Sequence, residues 1–529
     1  MNRKLIIGTR GSVLAMWQAN FVKDRLQEIG IEAELKVIKT QGDIIQHLRL
    51  DKLEGKGFFT KELEEELLNG TIDLAVHSHK DLPTINPPGL IIAAVSERED
   101  PSELLIIHKD CVDIKKRLSL KHNATVGTSS NRRKAQISAL RPDLEFDDLR
   151  GNLQTRMQKL RDDEQYDAIV LAKAGISRIE MDITDFHVEE IPPVEIIPAP
   201  AQGVLAIQIR EVDKELFTAL QPLNNNEVAK TIAVERLVLN KFDAGCHAPL
   251  GCYCRKSGDE YEAWASIADT SEDFPDRVYL RDTDPTRLAE RIFSKYAKDR
   301  KLPQSVFISR EVDENSYFAR AMAKHNITIE GRSLIKIFPI INKLDPFILK
   351  HVDWIIFSSK NGIEHFFNLE PRLSKKTKIG VIGRGSEEIL RKYDRVADFS
   401  GDSEGINMDE IAKKFAELAN GGTVLIPRAK ESLETIQKAL SPETKIINIP
   451  VYETVLEEDV DPSNAEVLVF TSPSNVEAYF ADNLLEPGQK VICIGRSTGA
   501  KFDEMNVPYT LPYSPDEIGL SEAVFGLEY

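Results

Sequence analysis

Short apolar runs alternate with longer segments of helical spacing along most of the chain. KLIIG (4–8), ELKVIKT (34–40), IDLAVHS (72–78), LIIAAV (90–95), ELLIIH (103–108) and YDAIVLA (166–172) are short, rich in Ile, Val and Leu, and read as buried strands. VLAMWQANFVKDRLQEIG (13–30) and FFTKELEEELLNG (58–70) repeat apolar residues three and four apart and end at Gly30 and Gly70, as helices often do. Strand–helix–strand order predicts parallel sheets with crossover helices. NEVAKTIAVERLVLNKF (226–242) predicts another amphipathic helix. A Gly245–Cys246 turn, a strand YEAWASIA (261–268) and a helix over PTRLAERIFSKYAKDRK (285–301) follow, and Pro303 marks a boundary.

Beyond Pro303 the alternation restarts and repeats itself. DWIIFSSKNGIEHFF (353–367) matches EVLVFTSPSNVEAYF (466–480) at an offset of 113, pairing Phe357 with Phe470 and Ser359 with Ser472. KIGVIGR (378–384) matches KVICIGR (490–496) at an offset of 112. Two matches in the same order predict two similar α/β lobes in the back of the chain.

A chain of 529 residues is long enough for several domains, and 42% hydrophobic with 29% charged residues is a globular balance. The formal charge of −17 argues against a nucleic-acid partner, so any anionic ligand needs a local cluster of cations. Five cysteines fit a reducing compartment better than a disulfide framework. Leu5–Ile7 is too short for a secretory core and no apolar run approaches the roughly 18 residues of a membrane span. The expectation is a cytoplasmic protein with no membrane partner, acting as a monomer.

Four stretches carry candidate chemistry. GTRGS (8–12) follows the first strand, with Arg10 at the strand end and Ser12 as a natural helix cap beside an anion-favouring N-terminus. An ordinary turn with a surface arginine fits the same residues. VHSHKDLPT (76–84) puts Lys80 and Asp81 at the carboxyl edge of a strand, where open α/β sheets bind ligands; a solvated ion pair is the plainer account. Between 128 and 178, Arg132, Arg133, Arg150, Arg156 and Arg178 fall at predicted strand ends or helix starts, which suits a substrate bearing several anionic groups, carboxylate or phosphate, and equally suits helix-surface charge. AGCHAPLGCYC (244–254) sets Cys246 on a tight turn, where a thiol can be a nucleophile, an attachment point or simply inert. The Cys-x5-Cys-x-Cys spacing lacks paired zinc knuckles, so no metal is expected.

Taken in order, GTRGS, GKGFFTKELE (55–64), VHSHKDLP, GTSSNRRKAQ (127–136), RGNLQTR (150–156), YDAIVLAKAGISR (166–178), PAPAQGVLAIQIR (198–210) and GCHAPLG (245–251) resemble porphobilinogen deaminase, or hydroxymethylbilane synthase. The resemblance implies two lobes like those of periplasmic binding proteins plus a small α+β domain. It implies a dipyrromethane cofactor joined covalently to Cys246. It makes Asp81 the catalytic acid and places Lys80, Ser12, Ser130, Arg132, Arg133, Arg150 and Arg156 around the cofactor. Arg10, Arg178 and Lys56 then meet the substrate, and 43–57 matches a mobile lid. Two departures are His79, where an apolar residue is expected before Lys80, and Ala244, where a glycine is expected.

The back half resembles uroporphyrinogen-III synthase through SVFISR (305–310), VIGRGS (381–386), VLIPRAKESL (424–433), PVYETV (450–455) and ICIGRSTGAKF (492–502), together with the repeated segments. That resemblance implies one α/β lobe inserted in another, with Tyr452 and Thr498 as catalytic candidates. Ser359, Ser472 and Ser497 are substrate-contacting candidates, and Arg310, Arg384, Arg428 and Arg496 could meet carboxylates. The combined expectation is a bifunctional α/β enzyme that turns porphobilinogen into hydroxymethylbilane and then into uroporphyrinogen III. Its domains run 1–98 with 196–215, 99–195, 216–299, 304–338 with 455–529, and 340–450. The rival readings are a deaminase with a non-catalytic C-terminal lobe pair, and a two-lobed binding protein for organic anions.

Overall fold

A computed structural model describes residues 3–40, 60–162, 165–242, 249–340, 343–401, 408–432 and 434–528, apart from the Arg384 side chain. The chain divides into two units, residues 1–112 with 120–300 and residues 113–119 with 301–529.

Among its described residues the first unit holds three sheets. One has the order Ala33–Val37, Leu5–Thr9, Leu74–Ser78, Leu205–Arg210, Leu90–Val95. Its first three strands are parallel, but Leu205–Arg210 is antiparallel to both neighbours. A second sheet has the order Glu145–Asp147, Thr125–Gly127, Ala168–Ala172, Glu103–Ile107, His187–Ile191, and here Glu103–Ile107 is the antiparallel strand. The expected parallel pairing with crossover helices is present, and each sheet adds one reversed strand. Both reversed strands lie where the chain passes from one sheet to the other, at 96–102 and 192–204, and no crossover helix forces them parallel. Leu5, Ile7, Leu74, Val76, Ile207 and Ile209 close the core of the first sheet against Ala19, Val22 and Leu26 of the helix Val13–Glu28.

The third sheet is an antiparallel meander, Leu250–Ser257, Glu260–Ile267 and Asp276–Asp282, packed by the helices Asn226–Lys241 and Pro285–Ser294. Trp264 is fully buried there, stacked between Tyr253 and Tyr279. The second helix stops at Ser294, short of the expected 301. The Tyr296 hydroxyl donates to the Ala265 carbonyl at 2.8 Å, so tertiary bonds take over the segment that helical spacing would have continued.

The second unit holds a parallel sheet of order Thr328–Gly331, Ser305–Ile308, Val467–Phe470, Lys490–Cys493. Its other sheet runs Ile335–Pro339, Lys445–Leu456, Thr423–Ala429, Trp354–Phe357, Lys378–Val381, Phe399–Ser400. The internal repeat is visible as structure. Trp354–Phe357 and Val467–Phe470 begin equivalent strands, Ser359 and Ser472 cap the helices that follow, and Gly383 and Gly495 open the next pair of helices.

Candidate active site

In the first unit a cleft lies where the first two sheets meet. Lys80, Arg133, Arg156 and Arg178 line it, with Gln18 and Gln202 between them. Each reaches it from a different element. Lys80 and Asp81 sit on the short turn His79–Asp81 at the end of the strand Leu74–Ser78. The Lys80 amine donates to Gln202 Oε1 at 3.2 Å, and burial pulls it down to about 8 against the upward pull of Asp81. Asp81, next in sequence, is exposed and does not line the cleft.

Arg132 and Arg133 open the helix Asn131–Leu140 and point into the protein, not along its surface. Fully buried Glu103 takes Arg132 on one carboxylate oxygen at 2.7 Å and Arg133 on the other at 2.6 Å. Arg132 also donates to the Ile197 carbonyl and Arg133 to the Val170 carbonyl, both at 2.9 Å. Arg133 Nε is buried without a partner. Burial favours the neutral form of Glu103, but the charges of Arg133 and Arg132 outweigh it and hold the carboxyl at about 2.

Arg156, in the helix Leu153–Asp162, donates through Nε to the Gly151 carbonyl at 2.8 Å; burial, then Arg133, lowers its pKa to about 10. Gly151 has φ +110°, and a Cβ there would meet Thr155 at 2.6 Å. Arg178 ends the helix Lys173–Arg178, donates to the Gly203 carbonyl at 2.6 Å and lies 5.7 Å from the Trp17 ring; burial brings it to about 10. Gly203 is obligatory, with φ +90° and the Glu99 carbonyl 2.2 Å from where its Cβ would be.

Ser12 and Ser130 both cap helices, accepting from Ala15 N at 3.3 Å and Arg133 N at 3.5 Å. Arg10 and Arg150 are half-buried and do not line the cleft. Lys56, Cys246 and the segment 43–57 lie outside the described residues. The residues that sequence reasoning missed are Glu103, Gln18 and Gln202. Their signal is a polar side chain on an apolar background: an acid opening the run LLII, and a glutamine on the apolar face of the first helix, where Gln18 donates to Ser78 Oγ at 2.9 Å.

In the second unit, the Tyr452 hydroxyl and Ser359 Oγ lie 3.1 Å apart. Ser359 also accepts from Gly362 N at 3.0 Å, capping the helix Lys360–Phe367. The Tyr452 ring stacks on His365 at 5.5 Å, and burial pushes its hydroxyl pKa up against the hydrogen bonds of Ser359 and Asn361. Thr498 is buried in the helix Arg496–Met505, Ser497 is exposed on it, and Ser472 caps the helix Pro473–Phe480. These three stand at the edge of the four-stranded sheet, whereas Tyr452 and Ser359 belong to the six-stranded one. Arg310 is paired with Glu517 at 2.8 Å and Arg428 with Glu434 at 3.3 Å. Among the described residues no group of acidic, His or Cys side chains could hold a metal, and no helix is long and apolar enough to cross a membrane.

Residues 5–218 match the family model described as porphobilinogen deaminase, dipyromethane cofactor binding domain, and residues 317–521 match uroporphyrinogen-III synthase HemD. Porphobilinogen deaminase of Fusobacterium nucleatum is 44% identical over 275 residues, 51% of this chain and 89% of the relative. Porphobilinogen deaminase of Oceanobacillus iheyensis is 40% identical over 306 residues, 56% of this chain and 96% of the relative. A crystal structure of uroporphyrinogen-III synthetase from Helicobacter pylori aligns at 16% identity and TM-score 0.31, covering 41% of this chain and 95% of that one.

Proposed function

The chain belongs to the porphobilinogen deaminase family over its front half and carries a uroporphyrinogen-III synthase domain behind it, and we propose that the two sites described above divide its chemistry. It is a bifunctional enzyme of tetrapyrrole (haem and porphyrin) biosynthesis. As a transferase it joins four porphobilinogens, releasing ammonia, to hydroxymethylbilane on a dipyrromethane cofactor; as a lyase it closes that product with inversion of ring D to uroporphyrinogen III. A non-catalytic lobe pair or a plain anion-binding protein is not favoured.

The observation that carries the deaminase site is the convergence of Lys80, Arg133, Arg156 and Arg178 on one cleft, with the buried Nε of Arg133 unpartnered. Such donors fit a group bearing several carboxylates, which would use donors left orphaned in a site otherwise too cationic to bury. Cys246 attaches the cofactor, and Lys80, Arg133, Arg156, Arg150, Ser12 and Ser130 surround it. When bound, the dipyrromethane supplies the free pyrrole carbon at which chain growth starts. Arg132, engaged by Glu103 and Ile197, fixes the geometry of that counter-ion pair. Arg178, Arg10 and Lys56 take the carboxylates of incoming substrate. Asp81, exposed beside the cleft-lining Lys80, stabilises the positive charge that develops as ammonia leaves and moves the proton.

In the synthase half, Tyr452 with Ser359, and Thr498, Ser497 and Ser472 from the other sheet, hold hydroxymethylbilane in the conformation that closes with inversion. The reading divides the chain at the boundaries expected from sequence: two binding-protein-like lobes, a small α+β domain, and a lobe inserted in a lobe. The five sheets support it, since each falls largely within one of those segments. The free thiols of Cys111, Cys252, Cys254 and Cys493 support a cytoplasmic working place, and the chain is read as a monomer. The test is intact mass of the purified chain, and of Cys246→Ser. The whole chain carries the mass of two pyrrole units and makes the type III ring from porphobilinogen. A mass increment retained in Cys246→Ser overturns the attachment.

A further inference from the structure

Two consecutive residues of the helix Asn226–Lys241 bind different segments of the first unit. Glu235, fully buried, pairs with Arg98 at 2.6 Å and accepts from Ala201 N at 2.6 Å and Cys254 N at 2.8 Å. It thereby ties the crossing between the first two sheets to the third sheet. Arg236 faces the loop that follows the strand Leu74–Ser78. Its guanidinium donates to the carbonyls of His79 at 3.3 Å, Leu82 at 3.4 Å and Pro83. One planar fork thus spans the backbone of the residues that flank Lys80 and Asp81. The loop's own backbone bonds are His79 N to the Val204 carbonyl at 2.9 Å and Leu82 N to the His79 carbonyl at 3.3 Å. Those bonds engage the amides of His79 and Leu82, and the guanidinium holds the carbonyls on either side of Lys80 and Asp81.

We propose that Arg236 is a positioning residue for the deaminase reaction. It holds the carbonyls on either side of Lys80 and Asp81 against the helix Asn226–Lys241, and so fixes where the acid stands. The inference rests on the reading of Asp81 as the catalytic acid.

Arg236→Leu and Arg236→Lys are made in the full chain, and intact mass confirms that each carries the covalent primer. Arg236→Leu is expected to lower kcat for porphobilinogen consumption roughly tenfold to a hundredfold, as a misplaced group does. Its KM stays within about twofold, because the contact bears on the reacting geometry and not on uniform binding. Arg236→Lys, able to reach a carbonyl, recovers part of the loss. Asn225→Ala removes the cap of the same helix, whose side chain accepts from Glu227 N and Val228 N, without touching the loop. It should lower Tm and leave kcat unchanged. Unchanged kcat in Arg236→Leu, or an equal fall in Asn225→Ala, overturns the proposal. Should Arg236→Leu not fold, Arg236→Lys decides: a reduced kcat at retained Tm supports it, and a normal kcat sinks it. Asp81→Asn is assayed alongside. If that variant turns over normally, the reading of Asp81 fails; if it is inactive while Arg236→Leu is normal, only the role of Arg236 fails.

Discussion

The Glu103 carboxylate meets the Arg133 guanidinium at 2.6 Å, and neither group is exposed to solvent beyond a few per cent. The other carboxylate oxygen is taken by Arg132, so a single buried anion serves two buried cations. Held at about 2, the carboxyl sits below its ordinary value of 4.5. Between these values the unfolded chain binds the proton and the folded chain does not. Stability from this group is therefore complete above the unfolded pKa and is lost as pH falls toward the folded one. Glu103→Gln is expected to cost about 3–5 kcal/mol at neutral pH, the range for breaking a buried pair. It should also flatten the acid limb of the stability curve. Denaturant unfolding at several pH values measures both, and an unchanged acid limb would show that the charge is not coupled to folding.

Lys80 titrates on the opposite side of neutrality. Its amine, at about 8 against an ordinary 10.5, is depressed first by burial. In that interval the unfolded chain holds a proton that the folded chain has released, so this group's contribution to stability rises with pH while its cationic charge disappears. Assembly of the dipyrromethane on the cofactor-free chain should slow as the pH is raised from about 7 to about 9. Lys80→Arg, which stays charged throughout, should flatten that decline. Assembly profiles identical in the two proteins, read by intact mass against time, would remove Lys80 from cofactor binding.

Asp81 is exposed and is not needed by the core. Asp81→Asn should leave Tm and primer attachment unchanged while turnover falls roughly 10²–10⁴-fold, the usual reach of a positioned acid–base group. Continuous assay of porphobilinogen consumption, with intact mass on the same sample, checks both parts. Full turnover at intact primer would refute its role.

Periodicity was enough to locate most strands and helices, because apolar runs such as LIIAAV bury wherever they fall, and Leu90–Val95 is the strand observed. Ser12 was readable as a cap because a cap is a local device, and Ser130, Ser359 and Ser472 cap their helices in the same way. Strand direction was not readable: Glu103–Ile107 and Leu205–Arg210 reverse because of where the chain crosses between sheets, which no local pattern records. The arginines were visible as residues, but their orientation depends on Glu103, some thirty positions away in sequence and drawn in by the fold. Gln202 and Arg236 escaped notice for the same reason, since their partners are brought together only by tertiary structure.

Tyr452 and Ser359 offer the sharpest test of the second site, because their 3.1 Å contact is a single neutral hydrogen bond that either residue alone can remove. Tyr452→Phe keeps the ring on His365 and deletes only the hydroxyl. It should leave porphobilinogen consumption untouched while the ring formed shifts from type III toward type I, since hydroxymethylbilane released without inversion closes by itself. Ser359→Ala loses the same contact and also the cap on the helix Lys360–Phe367, adding about 1 kcal/mol of instability. If the bond acts in catalysis, the double variant should be no worse in isomer ratio than Tyr452→Phe alone, the non-additivity of two residues acting as one unit. Chromatographic separation of the two ring isomers after oxidation gives the ratio. A type III fraction undiminished in Tyr452→Phe would leave the tyrosine a packing residue, with its hydroxyl serving only the helix cap.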